Sequence, residues 1–113
     1  MDPDEIEFTV DVGGGADGSL VAPHGELDMA TQGDLRAALE QQAARGAVTL
    51  DLSGLRFLDT SGLRLILETA EASARDGFTF SVLPGIPAVQ RLFDIAGVRE
   101  LVPFADSEEG DKP

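Results

Sequence analysis

The chain contains no cysteine and a single histidine, His24, among its 113 residues. The absence of cysteine excludes disulfides and thiolate chemistry. Zinc sites and Ser-His-Asp triads use histidine as a ligand or a base, so one histidine argues against both. No apolar run approaches the ~20 residues that cross a bilayer, and the acidic residues 1–5 do not resemble a secretion signal. These absences predict a cytoplasmic protein that has no cofactor of its own and does not bind membranes directly.

Basic side chains are also scarce. Eight lysine and arginine residues stand against 21 aspartate and glutamate residues, so the formal net charge is −13. Such an acidic chain is repelled by nucleic acid and by anionic lipid, and it attracts a basic protein partner instead. Solubility alone would also explain the charge. The sequence therefore predicts no nucleic-acid partner.

Length and apolar spacing predict one α/β domain. A chain of 113 residues is long enough for a single modest core, and we expect the domain to occupy residues 1–105. Alternating apolar residues over 6–12 and a second apolar run at 20–22 indicate a hairpin. Residues 48–52 are apolar almost throughout and indicate a strand covered on both faces. Shorter strands are expected at 78–82 and 101–104.

Three helices are expected between these strands, because their apolar residues recur at helical spacing. The order β-β-α-β-α-β-α-β predicts a mixed sheet of four to five strands packed against helices. Residues 106–113 are charged and are expected to form a disordered tail. The expected helix starts are Thr31 as an N-cap, Ser61 and Pro87, and the expected stops are Gly46, Gly77 and Gly97.

Three segments resemble sites only in part. The glycines at 13–15 lack the Gly-Lys-Ser/Thr ending of a phosphate loop and precede a strand, so a hairpin turn is the simpler interpretation. Asp28 and Asp51 could do acid–base chemistry or hold a metal, but the sequence offers neither a base nor further ligands. Asp28 could instead accept backbone hydrogen bonds in the turn before the first helix. His24 is interpreted as a surface or turn histidine.

The segment Asp59-Thr60-Ser61-Gly62 stands where a buried strand gives way to a helix. A serine at a helix start is usually an N-cap, because its oxygen accepts a hydrogen bond from a backbone N–H. The same position suits a phosphoryl group, because free N–H groups and the helix dipole favour an anion. Gly62 would leave room for an approaching partner, while Asp59 and Asp28 would repel the phosphate. The residues alone leave open a helix cap and a phosphorylation switch.

Four segments together resemble the bacterial STAS domain, specifically the anti-sigma factor antagonists (anti-anti-sigma factors). In order and spacing they span roughly residues 6–105, and their joint pattern is far more specific than Asp-Thr-Ser-Gly alone. The segments are Gly25-Glu26-Leu27-Asp28 with Thr31, Leu50-Asp51-Leu52-Ser53-Gly54-Leu55, Phe57-Leu58-Asp59-Thr60-Ser61-Gly62-Leu63, and Val89-Gln90-Arg91-Leu92-Phe93-Asp94-Ile95-Ala96-Gly97.

The resemblance implies a partner switch. In this family the unphosphorylated antagonist binds an anti-sigma factor, commonly a serine kinase of the histidine-kinase-like ATPase fold, and so frees a sigma factor. Transfer of phosphate from ATP to the serine before the glycine, here Ser61, releases the antagonist, and a serine phosphatase restores it. ATP and magnesium belong to the kinase, so the resemblance implies that this chain is a substrate and a binding partner rather than an enzyme.

The resemblance also implies which residues bind the partner. Family members with aspartate at the position of Asp28 use it in the docking surface. Thr60 replaces a frequent serine and provides an alternative acceptor. Arg64 stands where many relatives have a small residue, and it could pair with a phosphate on Ser61 or change the choice of partner. The expected docking residues are Asp28, Asp59, Thr60, Ser61, Gly62, Leu63 and Arg64.

Two other functions remain as alternatives. STAS domains also serve as unphosphorylated scaffolds or regulatory modules in stress-signalling and transport complexes. A small enzyme that uses Asp28 and Asp51 would instead show turnover by the protein alone and a small-molecule pocket. The sequence supplies no base near a nucleophile and no metal cluster for such an enzyme.

Overall fold

Five strands form one mixed sheet in the computed structural model, which describes residues 7–15 and 18–105. Three α-helices and one 3₁₀ helix connect and follow the strands, so the expected fold class is confirmed. The strands are β1 (Thr9–Gly15), β2 (Gly18–Leu27), β3 (Val48–Asp51), β4 (Leu55–Leu58) and β5 (Phe80–Leu83), the helices are α1 (Gln32–Ala43), α2 (Thr60–Asp76) and α3 (Pro87–Ala96), and the 3₁₀ helix is Arg99–Leu101.

The ten-residue strand β2 organises the sheet. It runs antiparallel to β1 as the expected hairpin. Its early residues pair in parallel with β3, and its last residues pair in parallel with β4. Strand β5 then pairs in parallel with β3. The carboxyl ends of β2 and β4 therefore lie side by side, with Leu27 opposite Leu58.

The core is almost entirely aliphatic. Each α-helix turns an apolar face toward the sheet, and the rings of Phe93 and Phe104 pack edge to face with centroids 5.1 Å apart. Among the residues described, no polar or charged residue is buried. The fully buried large side chains are Val21, Leu27, Leu35, Val48, Leu50, Leu52, Leu55, Leu65, Ile66, Val82, Val89 and Phe93.

Several predicted boundaries are confirmed and two elements differ. Helix α3 begins at Pro87, and Gly77 and Gly97 end α2 and α3 with positive φ angles of 86° and 71°. Strand β4 was not predicted. The last predicted strand, at 101–104, is wrong because the chain forms the 3₁₀ helix and then a single bridge between Val82 and Phe104. Ile6 and the predicted tail at 106–113 lie outside the described residues.

Candidate functional site

The predicted site lies at the carboxyl ends of β2 and β4. Because these strands are parallel and Leu27 is opposite Leu58, the turns that follow them leave the same edge of the sheet. The Asp59 N–H donates a hydrogen bond to the Leu27 carbonyl at 3.1 Å and joins the two turns. The structure therefore brings Asp28 to the edge that also carries the start of α2. We call the exposed or half-buried residues of this edge, Asp28, Met29, Asp59, Thr60, Ser61 and Arg64, the strand-end surface.

Asp59 caps α2, which corrects the interpretation of Ser61 as the N-cap. The Asp59 Oδ1 atom accepts hydrogen bonds from the N–H of Ser61 at 2.9 Å and from the N–H of Gly62 at 3.1 Å. The same oxygen accepts a hydrogen bond from the Ser61 hydroxyl at 2.6 Å. The helix begins at Thr60, so Ser61 is its second residue and its side chain is free of any capping role. The carboxylate satisfies N–H groups that were expected to favour a phosphate.

These hydrogen bonds set the charge state of Asp59. Burial alone would raise the pKa of this carboxyl group, but hydrogen bonds from the Ser61 hydroxyl and from the backbone N–H groups of Gly62, Ser61 and Met29 outweigh burial. The pKa of Asp59 therefore lies below its ordinary value of 3.8. Asp59 is ionised at neutral pH and would repel a phosphate on Ser61.

Gly62 serves internal packing rather than access for a partner. A Cβ atom at this position would lie 2.6 Å from Leu58 Cδ1 and 2.7 Å from Leu27 Cγ. Both leucines are buried in the core, so only glycine lets the first turn of α2 approach the strand ends this closely. The expectation that Gly62 leaves room for a partner at the surface is therefore wrong, because a side chain at this position would point into the core.

The turn that follows β2 is held by side chains of its own. The Asp28 Oδ1 atom accepts hydrogen bonds from the N–H groups of Ala30 and Thr31 at 3.0 and 3.1 Å, as the simpler interpretation of Asp28 expected. The Thr31 hydroxyl donates to the Glu26 carbonyl at 2.8 Å and accepts from the Asp28 N–H at 2.9 Å. Thr31 occupies the N-cap position of α1, but its side chain does not cap the helix. The prediction of Thr31 as the N-cap is thus right in position, but the expected hydrogen bond from its side chain to the helix is not formed.

The predicted docking residues divide into exposed and buried ones. Thr60 and Arg64 are exposed, and Asp28, Asp59 and Ser61 are half-buried. Gly62 and Leu63 are buried, so they shape the surface from below. Sequence reasoning missed Met29, whose side chain is 78% exposed. The sequence offers one indication of this exposure. Met29 is a large apolar residue just after the end of β2, and it does not belong to the apolar pattern of α1.

Other sequence candidates lie apart from this surface. Gly13, Gly14 and Gly15 all belong to β1 and pair with residues of β2, so the interpretation of these glycines as a hairpin turn is wrong. His24 Nε2 lies 3.1 Å from Asp11 Oδ2 on the hairpin, and Asp51 accepts a hydrogen bond from the Ser53 N–H at 2.9 Å. Within residues 7–15 and 18–105, no three His, Asp or Glu side chains gather where they could hold a metal.

Two further features describe the rest of the molecule. A groove of about 630 Å³ lies between α1 and α2 and contains no residue of the strand-end surface. Its walls include Leu39, Leu65 and Phe78, and the Arg36–Glu68 ion pair borders it. In the part of the chain that the structure describes, no helix has both the length and the apolarity needed to cross a membrane.

Known proteins share this chain's sequence and fold over most of its length. The model of a family described as "Mlab, STAS domain" matches residues 10–103. The anti-sigma F factor antagonist of Paenibacillus polymyxa is 32% identical over 92 residues, which cover 79% of each chain. The anti-sigma-B factor antagonist of Staphylococcus epidermidis is 29% identical over 87 residues, which cover 75% of this chain and 81% of that protein.

A solved structure agrees with both relatives. The crystal structure of an anti-sigma factor antagonist from Mycobacterium paratuberculosis has a TM-score of 0.79 at 28% identity, and the match covers 96% of this chain and 92% of that one. The resemblance found in the sequence is thus confirmed by a family model, by curated relatives and by a solved fold. Because the family model spans residues 10–103, this chain belongs to the STAS domain family of anti-sigma factor antagonists.

Proposed function

We propose that this antagonist is a phosphorylation-controlled partner switch. Its unphosphorylated form binds an anti-sigma factor that is also a serine kinase, and this binding frees a sigma factor. The kinase transfers phosphate from ATP to Ser61, the complex dissociates, and a serine phosphatase restores the binding form. The observation that carries the proposal is the half-buried Ser61 hydroxyl on the second residue of α2, at the edge where Asp28 and Asp59 also lie.

The strand-end surface supplies the docking face in this proposal. Thr60 and Arg64 are exposed on α2, and Met29, directly after Asp28, adds a largely exposed apolar side chain. Carboxylates around an apolar centre suit a partner with a basic rim and an apolar pocket. Gly62 and Leu63 contribute by holding α2 against Leu27 and Leu58 and so keeping the face in place.

A phosphate on Ser61 would release such a partner, because placing a dianion against an apolar pocket carries a desolvation cost that outweighs its attraction to a basic rim. A phosphate adds about −1.5 to −2 charges at neutral pH and would stand beside the ionised Asp59. It also removes the hydroxyl proton that Ser61 now donates to Asp59. Arg64 lies three residues further along α2 and takes part in none of the ion pairs found among residues 7–15 and 18–105. Its guanidinium can pair with the phosphate at this helical spacing, which retains the modified fold while the docking face becomes more negative.

The first test is mass spectrometry of this protein isolated from its own cells, together with its co-purifying partners. We expect phosphate on Ser61 in part of the protein and an ATPase-fold anti-sigma factor bound only to the unmodified part. Ser61→Ala should remain bound when ATP is added, whereas the wild type should dissociate. Ser53→Ala is the matched control, because Ser53 is an exposed serine on the β3–β4 turn and outside the strand-end surface.

Three results would contradict the proposal. Release of Ser61→Ala by ATP at the wild-type rate would remove Ser61 from the switch, and phosphate found on Thr60 instead would move the acceptor by one residue. A protein that stays unmodified in every growth condition and co-purifies with scaffold or transport proteins would favour the unphosphorylated STAS module.

A further inference from the structure

The two adjacent hydroxyls of the strand-end surface differ in their surroundings. The Ser61 hydroxyl donates to Asp59 Oδ1 at 2.6 Å, which is the length of a charge-assisted O–H···O⁻ hydrogen bond. The Thr60 hydroxyl takes part in none of the side-chain hydrogen bonds found within residues 7–15 and 18–105, although Thr60 is the more exposed of the two. Exposure alone would favour Thr60 as the acceptor, so the carboxylate is what distinguishes Ser61.

We infer that Asp59 accepts the proton of Ser61 during phosphoryl transfer, so that this substrate carries part of the catalytic apparatus itself. The inference rests on the proposed function. In the step, the Ser61 Oγ atom forms a bond to the γ-phosphorus of ATP, and the bond from that phosphorus to the leaving ADP oxygen breaks. The Ser61 proton passes to Asp59 Oδ1, with which it already shares a hydrogen bond, and then to solvent.

The geometry meets the requirements for such a proton acceptor. The distance lies within the ~2.6–3.2 Å reach expected for proton transfer between heavy atoms. Backbone N–H groups of Ser61 and Gly62 hold Oδ1 from the other side, so the carboxylate is oriented without depending on a mobile side chain. This arrangement of a nucleophile, its acceptor and a third orienting group is the general pattern of an activated hydroxyl.

The low basicity of Asp59 fixes when the proton moves. A carboxylate cannot remove a proton from a free serine hydroxyl, whose acidity is far weaker. The hydroxyl becomes strongly acidic only as its oxygen bonds to phosphorus, and phosphoryl transfer passes through a loose transition state in which this bonding is late. Asp59 therefore takes the proton late in the step. Before that, its hydrogen bond with the hydroxyl orients the lone pairs of Ser61 Oγ toward the nucleotide.

Asp59→Asn tests the inference, because asparagine is as favourable an N-cap as aspartate but does not accept a proton. The assay is incorporation of radiolabelled phosphate from ATP by the anti-sigma kinase recovered from the same cells, with the acceptor mapped by mass spectrometry. We expect kcat to fall on the order of 10²-fold or more, and kcat is measured separately from KM because Asp59 also belongs to the docking face. The share of phosphate on Thr60 should rise, because Ser61 loses its advantage.

Asp51→Asn is the matched control, since Asp51 also ends a parallel strand and its carboxylate also holds a backbone N–H. It should leave kcat and KM at the wild-type values. Asp59→Ser, which keeps a good capping residue, provides a second test if Asp59→Asn loses its fold. Equal kcat for the wild type and Asp59→Asn would overturn this inference alone. No incorporation into the wild type would overturn both the inference and the proposed function.

Discussion

Replacing Gly62 by alanine should destabilise the protein although alanine is the better helix former. The added Cβ would lie 2.6 Å from Leu58 Cδ1, 2.7 Å from Leu27 Cγ and 2.9 Å from Leu27 Cδ2. Leu27 is fully buried and Leu58 is 6% exposed, so neither side chain can turn into solvent. Forcing one methyl group into such a core costs about 1–3 kcal/mol. The gain in helix propensity of up to about 1 kcal/mol offsets only part of that cost.

Gly33→Ala provides the matched control for this prediction. Gly33 also lies in the first turn of a helix, α1, but a Cβ there meets no heavy atom within 4 Å. The same chemical change should therefore stabilise the protein by up to about 1 kcal/mol. Urea unfolding of both variants measures the two free energies on one scale, with the slope m checked for constancy.

The opposite signs of these two effects are the critical result. Gly62→Ala should unfold at lower urea concentration than the wild type, with a thermal midpoint several degrees lower, since about 1 kcal/mol shifts Tm by roughly 4–8 °C in a domain near this size. Gly33→Ala should shift both midpoints upward. If Gly62→Ala were as stable as the wild type or more so, the close contact between α2 and the strand ends would not constrain the protein.

Three further changes probe the cap, the core and the surface. The pKa of Asp59 is lowered in the folded protein, so its ionised form adds stability at pH values above the ordinary value of 3.8, and this contribution is lost as the pH falls through the folded pKa. In urea titrations, the difference in unfolding free energy between the wild type and Asp59→Asn should therefore shrink from pH 7 to pH 2. A difference that stays constant with pH would contradict this prediction. Phe93→Ala should lower the free energy of unfolding by about 3–5 kcal/mol, because the ring is fully buried against Phe104. Ile95→Ala on the same helix changes a side chain that is 74% exposed, so it should change the free energy of unfolding by no more than about 0.5 kcal/mol. A double-mutant cycle on Arg36 and Glu68, which are 41% and 45% exposed, should give less than about 1 kcal/mol, and a larger coupling would show that the groove between α1 and α2 depends on this pair.

The elements that sequence reasoning found are those with regular apolar patterns. The apolar stripe of α2 predicts that helix, and its terminal Gly77 predicts where it ends. Pro87 predicts the start of α3. Strand β4 has four residues, as β3 and β5 do, but its two middle residues, Arg56 and Phe57, are both exposed. The pairing of β4 with β2 shifts register at a bulge beside Gly25. The sequence of β4 therefore lacks the alternation of apolar and polar residues that predicts a strand.

The two expected hydroxyl caps failed for different reasons. At Thr31, the hydroxyl donates to the Glu26 carbonyl within the turn, and no side chain caps α1. At Ser61, the upstream Asp59 carboxylate takes the backbone N–H groups at the start of α2. A carboxylate accepts a stronger hydrogen bond than a neutral hydroxyl. Its advantage depends on turn geometry, however, and the sequence does not contain that geometry. The neighbourhood of Asp28 and Asp59 likewise follows from the parallel register of β2 and β4, which could not be known while β4 was missing.

The hydrogen bonds that join the two turns give them a common opening event. The Asp59 N–H bonds to the Leu27 carbonyl, and the Asp59 carboxylate holds the first N–H groups of α2. Fraying of the first helical turn therefore breaks the link to β2 as well, so the two segments form one cooperative unit rather than two loops. In amide hydrogen exchange such a unit shows a single protection factor, and a ligand that contacts only one turn slows exchange in both.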